Sequence, residues 1–193
     1  FAQDGALGRI TAIDLDGVRE APGVIAVLTA RNIPGVNDCS PSVGGDPILA
    51  EDAISFHGQV IFAVVAATRE AARRAARLAK IRISAETPAV AVEDALAMHT
   101  ADVGDPYAFV RRDAARTLKS SAHVIEESFR IGGQEHFYLE GQVSLALPEE
   151  HGGMTVHCST QHPSEVQHLV ARMLAVPDAL VVCECRRMGG GFG

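Results

Sequence analysis

Residues 60–84 carry the pattern that most restricts the fold. The apolar run Val60-Ile61-Phe62-Ala63-Val64-Val65-Ala66-Ala67 has the length of a buried strand and falls far short of a membrane span. Thr68-Arg69-Glu70 then opens a helix. On it, Ala71, Ala72, Ala75, Ala76 and Ala79 make a narrow face of small side chains, and Arg73, Arg74 and Arg77 cover the opposite side. Small residues at that spacing let a helix lie close against a sheet. Ile81-Arg82-Ile83-Ser84 alternates as a strand and completes the unit. The pattern calls for strands and helices interspersed, an α+β fold. The arginines read as a solvated face.

Upstream, Gly8–Asp16 begins with an alternating strand, and Asp14 or Asp16 can cap a short helical turn from Val18 to Ala21. Pro22-Gly23 breaks it. Val24-Ile25-Ala26-Val27-Leu28 reads as a second buried strand, Thr29 caps another turn, and Pro34-Gly35 ends that turn. Residues 36–47 form a polar, glycine- and proline-rich loop. Residues 1–88 therefore read as one small α/β domain of packing residues, without a catalytic constellation. A linker is expected over 89–122, with short helices near Val92–Leu96 and Ala114–Lys119 and an irregular stretch at 98–112. A further domain begins at 123, where Val124–Ile131 reads as a strand.

The 193 residues can bury a real core, and 47% hydrophobic with 21% charged residues is a globular balance. A net charge of −7 without a basic stripe argues against nucleic acid as a partner, since phosphate binding depends on clustered Lys and Arg. The sequence carries neither a membrane-spanning run nor a signal-peptide pattern. It starts at Phe1 and stops inside a glycine loop, so it reads as a piece of a longer chain. Cys39, Cys158, Cys183 and Cys185 make no CxxC pair and no zinc spacing, which fits a reduced, cytoplasmic setting.

Three stretches could carry chemistry. Gly132-Gly133-Gln134-Glu135-His136-Phe137-Tyr138-Leu139-Glu140-Gly141-Gln142 gathers two carboxylates, a histidine and two amides. Glu135, His136 and Glu140 could serve as ligands or acid–base groups. Extended backbone would turn Glu135 and His136 to opposite faces, however, and a buried polar network that fixes a loop beside a cofactor is the better reading. Val143–Leu147 and Met154–Ser159 alternate about a turn at 148–153, as an antiparallel hairpin. Its end delivers Ser159-Thr160-Gln161-His162-Pro163-Ser164-Glu165 to a strand-to-helix corner, with Thr160 or Ser164 as the cap. Val166, Leu169, Val170, Met173 and Leu174 form the helix's apolar stripe, and Pro177 stops it. A neutral amide at Gln161 can donate to an oxygen ligand without bringing charge. His157, His162 and His168 each read as surface or packing residues. Finally, the strand Leu180–Cys185 leads into Arg186-Arg187-Met188-Gly189-Gly190-Gly191-Phe192-Gly193. Three glycines let backbone N–H groups approach an anion closely, near the Gln161 corner. The loop matches neither the P-loop nor the GxGxxG pattern, and no GxSxG elbow is present.

Taken together, GGQEHFYLE at 132–140, STQHPSE at 159–165 and RRMGGGFG at 186–193 strongly resemble the molybdenum-cofactor subunit of the xanthine dehydrogenase and aldehyde oxidase family. The likeness is greatest to the large subunit of bacterial xanthine dehydrogenases. APGVIAVLTARNIPG at 21–35 and FHGQVIFAVVAAT at 56–68 resemble that family's α/β hammerhead domain.

The resemblance implies a hammerhead domain at 1–88, a linker at 89–122 and the beginning of a mixed α/β molybdopterin-binding domain at 123–193. It assigns Gln161 to a hydrogen bond with a molybdenum-bound oxygen. The backbone N–H of Phe192 is assigned to the same ligands, and Gly191 and Gly193 to the wall of the pterin site. Both Gln161 and Phe192 would thus contact the metal's ligands and not the metal itself. Catalytic residues are expected in none of these positions. The family's substrate-binding glutamate, its purine-orienting arginine and the glutamate that activates the metal hydroxyl all come later in the family's chain. The implied full enzyme oxidises hypoxanthine or xanthine to urate with water as oxygen source. It passes electrons through 2Fe-2S clusters and FAD, on partner domains or subunits, to NAD. The remainder of the large subunit is the other expected partner, and an oligomer the expected assembly. Two other readings share these motifs: the large subunit of an aldehyde or N-heterocycle hydroxylase, and a non-catalytic module for subunit assembly.

Overall fold

The computed structural model describes residues 5–41, 44–102 and 104–192. They fall into two units, one built from Phe1–Pro88 together with Tyr138–Gly193, the other from Ala89–Phe137.

In the first unit, β1 (Gly8–Asp14), β2 (Val24–Thr29), β3 (Ala53–Ile54), β4 (Phe62–Ala66) and β5 (Lys80–Ala85) make two antiparallel sheets, ordered β3-β1-β5 and β2-β4. The alternation in the sequence sets the register: Ile10 lies opposite Ile83 and Ile13 opposite Ile81. Helix α1 (Asp16–Arg19) is one turn long. The Asp14 carboxylate accepts the Asp16 N–H at 3.1 Å, and that bond, more than the nearby Lys80, holds the carboxyl below its ordinary pKa. Helix α2 (Arg69–Ala76) begins at Thr68, whose hydroxyl accepts the Ala71 N–H at 3.1 Å. Its small-residue face packs as expected, with Ala71 and Ala75 buried. The core between the layers is Leu15, Val18, Ala50, Ile54, Ile61, Phe62 and Ala75. Full burial of a side chain such as Phe62 contributes about 2–3 kcal/mol.

The same unit contains a second layered element. Strands β6 (Ser144–Pro148) and β7 (Met154–Cys158) form the expected antiparallel hairpin. The 12-residue helix Pro163–Leu174 then crosses over to β8 (Val181–Glu184), which pairs with β7 in parallel. Against the sheet the helix buries Ala171, and beneath it Val156 and Val181 are buried. Gln167 Nε2 donates to the Val181 carbonyl at 2.7 Å and ties helix to strand. Neither expected residue caps this helix. His162 occupies the N-cap position without a side-chain bond, and the Thr160 hydroxyl accepts the N–H of His162 itself. Pro163 at the first helical position has no N–H to satisfy, so less capping is needed.

The helix's other end is finished by the first layer. The N–H groups of Gly35 and Val36 donate to the carbonyls of Met173 and Arg172 at 2.9 and 3.1 Å. Both are last-turn acceptors, and the Arg172 carbonyl also takes a long 3.4 Å bond from the N–H of Ala175 just past the helix. Arg172 reaches back to the carbonyls of Asp38 and Ser40 at 2.8 and 3.3 Å. Asp38 accepts the N–H groups of Ser40 and Gly45, which hold its carboxyl below the ordinary value, and the side chain of Asn37 pairs with both backbone groups of Leu49. The polar excursion of residues 36–47 is thus internally bonded where it is described, and it docks onto a helix far along the chain.

The second unit holds α3 (Val92–Met98) and α4 (Ala114–Ser120); we number the crossover helix α5. Glu93 pairs with Arg130 at 3.2 Å. The strand expected over 124–131 does not form. A strand needs an edge to pair with, and Ile125, Phe129 and Ile131 stand 94%, 83% and 81% exposed.

Candidate functional site

Because β7 and β8 run parallel, the segments that follow them leave the sheet at the same end. After β7 comes Ser159-Thr160-Gln161, and after β8 comes the loop Cys185–Phe192. Open α/β sheets commonly place ligands outside the carboxyl ends of their strands. The two segments are stitched together by the Cys185 thiol, which donates to the Thr160 carbonyl at 3.3 Å.

The structure brings Gln161 against Gly191. A Cβ built on Gly191 would stand 2.9 Å from both Cδ and Nε2 of Gln161. The other two glycines are fitted just as closely to other neighbours. A Cβ on Gly189 would lie 2.5 Å from Glu140 Oε2, and one on Gly190 would lie 2.5 Å from the Phe192 ring. Among the described glycines, a positive φ occurs at Gly23, Gly44, Gly45, Gly58 and Gly152, and not in this loop. Space, rather than left-handed backbone, demands glycine at 189–191.

Residues of the 138–142 segment reach the same loop. The Glu140 carboxylate accepts the Gly189 N–H. The Tyr138 ring stacks on Phe192, centroids 5.2 Å apart at 29°, and Gln142 Nε2 donates to the Tyr138 hydroxyl at 2.8 Å. Glu140 is therefore a loop-binding group, but the expected network is not buried: within 132–142 only Glu140 is half-buried and the rest are exposed, because among the described residues no further layer covers the segment. Tyr138 and Gln142 were not singled out by sequence, although their spacing of two from Glu140 marks one side of an extended segment. Glu135 and His136 belong to the other unit, where the Glu135 carboxylate accepts the His136 N–H at 3.1 Å. Gly193 lies outside the described residues.

An open cleft of about 560 Å³ adjoins the loop, lined by Glu140, Leu145, His157, Glu184, Arg186 and Arg187 among others. His157 and Glu184 face each other across β7 and β8 at 3.1 Å, and Arg186 stands 3.9 Å from the same carboxylate oxygen. His168 is engaged by Asp178 at 2.8 Å, on the α5 surface. Among the described residues, no three His, Cys, Asp or Glu side chains converge as a metal site. The side chain fitted against Gly191 is a neutral amide, a donor that can meet an oxygen-rich group without bringing charge.

Under the site, Cys158 and Cys183 place their sulfurs 3.6 Å apart. Burial, with the Cys158 contact second, pushes the Cys183 thiol up to about 11 from an ordinary 9.0. The native state keeps this proton while the unfolded chain loses it, so Cys183 stabilises fully below pH 9.0 and the contribution fades as pH rises toward 11. Titrating stability by urea unfolding should show a fall over that window that is reduced in Cys183→Ala. At pH 8, iodoacetamide should modify exposed Cys39 well before Cys183, read by peptide mass spectrometry.

Comparison with known proteins places this geometry. Residues 4–87 match the model of the aldehyde oxidase and xanthine dehydrogenase a/b hammerhead domain, and residues 97–193 match that of the molybdopterin cofactor-binding domain. The chain belongs to the aldehyde oxidase and xanthine dehydrogenase family of molybdenum-cofactor oxidoreductases. It is 36% identical over 191 residues to xanthine dehydrogenase of Dictyostelium discoideum, and 36% identical over 189 residues to xanthine dehydrogenase/oxidase of Rattus norvegicus. Each alignment covers 97% of this chain and 14% of the relative, so the chain spans about one-seventh of those proteins' length. Quinoline 2-oxidoreductase from Pseudomonas putida 86 superposes on the whole chain with a TM-score of 0.81 at 27% identity, over 27% of its own length. Aldehyde oxidoreductase from Desulfovibrio gigas, at 22% identity, shares the fold with a TM-score of 0.84 over 23% of its chain. The expected α+β architecture, a small hammerhead domain followed by a molybdopterin-binding fold, is what the structure contains.

Proposed function

We infer that this chain is part of the large subunit of a molybdenum hydroxylase of the xanthine dehydrogenase type. It supplies one wall of the cofactor site and none of the groups that take substrate through the reaction. The observation that carries the reading is the neutral Gln161 amide fitted against Gly191. When bound, the cofactor supplies two-electron oxidation of a carbon–hydrogen bond, with water as the oxygen source. Gln161 and the Phe192 backbone would orient it, because a donor without charge polarises an anionic oxygen ligand without competing for the metal. The glycines allow that approach, and Gly193 would continue the wall.

The substrate class proposed is a purine, hypoxanthine or xanthine. Electrons would leave through 2Fe-2S and FAD groups on partner domains or subunits to NAD, in a cytoplasmic oligomer that includes the rest of the large subunit. No described helix is long and apolar enough to cross a membrane. The likeness to quinoline 2-oxidoreductase at 27% identity supports a second reading, the hydroxylation of another N-heterocycle, and the aldehyde reading rests on the family.

The test is metal analysis by mass spectrometry on the intact enzyme, with steady-state turnover of xanthine, quinoline and benzaldehyde in the presence of NAD. Molybdenum near one per large subunit with preference for xanthine is the expected result. Preference for quinoline or benzaldehyde would move the substrate class, and a stable, molybdenum-free protein would favour the assembly module. The 193-residue segment alone should turn over none of them.

A further inference from the structure

The geometry points to Tyr138, Glu140 and Gln142 as a positioning strip that sets where the glycine loop stands relative to Gln161, with Glu140 as its principal anchor. Residues 186–192 carry no regular secondary structure and contain three glycines, the residue that loses most backbone freedom on ordering. Such a loop needs external ties to present its N–H groups in one place. Apart from the contacts of Arg186 with Glu184 and of the Arg187 carbonyl with Cys185 at its base, the ties described come from one short segment at a spacing of two. Tyr138 stacks on Phe192 at the loop's far end, Glu140 accepts from Gly189 at its middle, and Gln142 fixes the Tyr138 hydroxyl.

Glu140 is the anchor for two reasons. A carboxylate acceptor makes a charge-assisted bond to the backbone, roughly twice as strong as a neutral one. The missing Cβ at Gly189 also lets the carboxylate sit where any other side chain would collide with it. The strip therefore places Gly191, and through it the room available to Gln161. This inference rests on the proposed cofactor site for its catalytic consequence, but not for its effect on the loop itself. Tyr138, Glu140 and Gln142 are positioning residues, since they act on the loop and not on the reacting atoms.

The test compares Glu140→Ala, Glu140→Gln and Tyr138→Phe in the intact enzyme, by hydrogen exchange of the peptide spanning 186–192, molybdenum content, and kcat with KM. Glu140→Ala should speed exchange in that peptide about tenfold or more and leave exchange in β6 and β7 unchanged. It should lower kcat by about 10- to 100-fold with KM altered less than about threefold. Glu140→Gln keeps an acceptor oxygen and should recover most of both losses. Tyr138→Phe keeps the stack and should change each by less than about threefold. Unchanged exchange at 186–192 in Glu140→Ala overturns the positioning strip. Faster exchange there with unchanged kcat and molybdenum content supports the strip and overturns the reading of this corner as the cofactor site. Equal damage from the alanine and glutamine variants, with exchange raised throughout β6 and β7, would mark a merely structural role and overturn the proposal.

Discussion

Replacing Gly191 by alanine is expected to lower turnover of the intact enzyme by more than about 100-fold while stability changes by no more than about 1 kcal/mol. The new Cβ would stand 2.9 Å from Cδ and Nε2 of Gln161. An amide at the end of a flexible side chain can give way where backbone cannot, so the fold should tolerate the change. The same swing removes the donor from its place beside the loop, and under the proposed function a donor that has moved would no longer act on the cofactor. Thermal unfolding with turnover, measured on one preparation, separates the two effects. Near-normal turnover would mean that the Gln161 amide does not act in the position described.

Gly35→Ala should behave in the opposite way. Its Cβ would fall 2.0 Å from the Arg172 carbonyl oxygen, 2.9 Å from that of Met173 and 3.0 Å from the Ala175 nitrogen. All three are backbone atoms at the end of a helix, which cannot rotate away. Relief requires α5 to lift off residues 35–40, breaking the bonds from the Gly35 and Val36 N–H groups and the Arg172 contacts. Overpacking plus the loss of two backbone hydrogen bonds should cost about 3–4 kcal/mol, a large share of a typical domain's stability. A urea titration should show an earlier midpoint, and Arg172→Ala should be milder because only side-chain bonds are lost. A Gly35→Ala midpoint equal to that of the parent would refute the docking of α5 against this loop.

These two glycines show where the sequence was readable and where it was not. The Thr68-capped, alanine-faced helix and the apolar run before it were legible because a local period encodes them, and the structure has both. The same holds for the β6–β7 hairpin. The motif glycines were legible as a feature, and the nearness of their loop to Gln161 followed from strand–helix–strand order. What spacing could not reveal is which neighbour requires each glycine. Gly35 reads locally as the stop of a short turn, yet its necessity comes from a helix some 137 residues later. Glu140 looked like a candidate ligand because carboxylate chemistry is visible in a sequence, whereas the backbone N–H it binds is not. Val124–Ile131 failed as a strand for a related reason: alternation states which faces a strand would have, not whether an edge exists for it to join.

The union of Arg172 with the Asp38 loop has a consequence for how the molecule comes to be folded. The partners are separated by 134 positions, so the receptor loop leaves the ribosome long before the helix that it caps. Closing so wide a circuit is slow relative to local pairing, yet each doubling of its length adds only about 0.6 kcal/mol. The first sheets can therefore mature while they wait, and extra residues inserted between them and β6 should alter the rate of assembly more than the durability of the finished join.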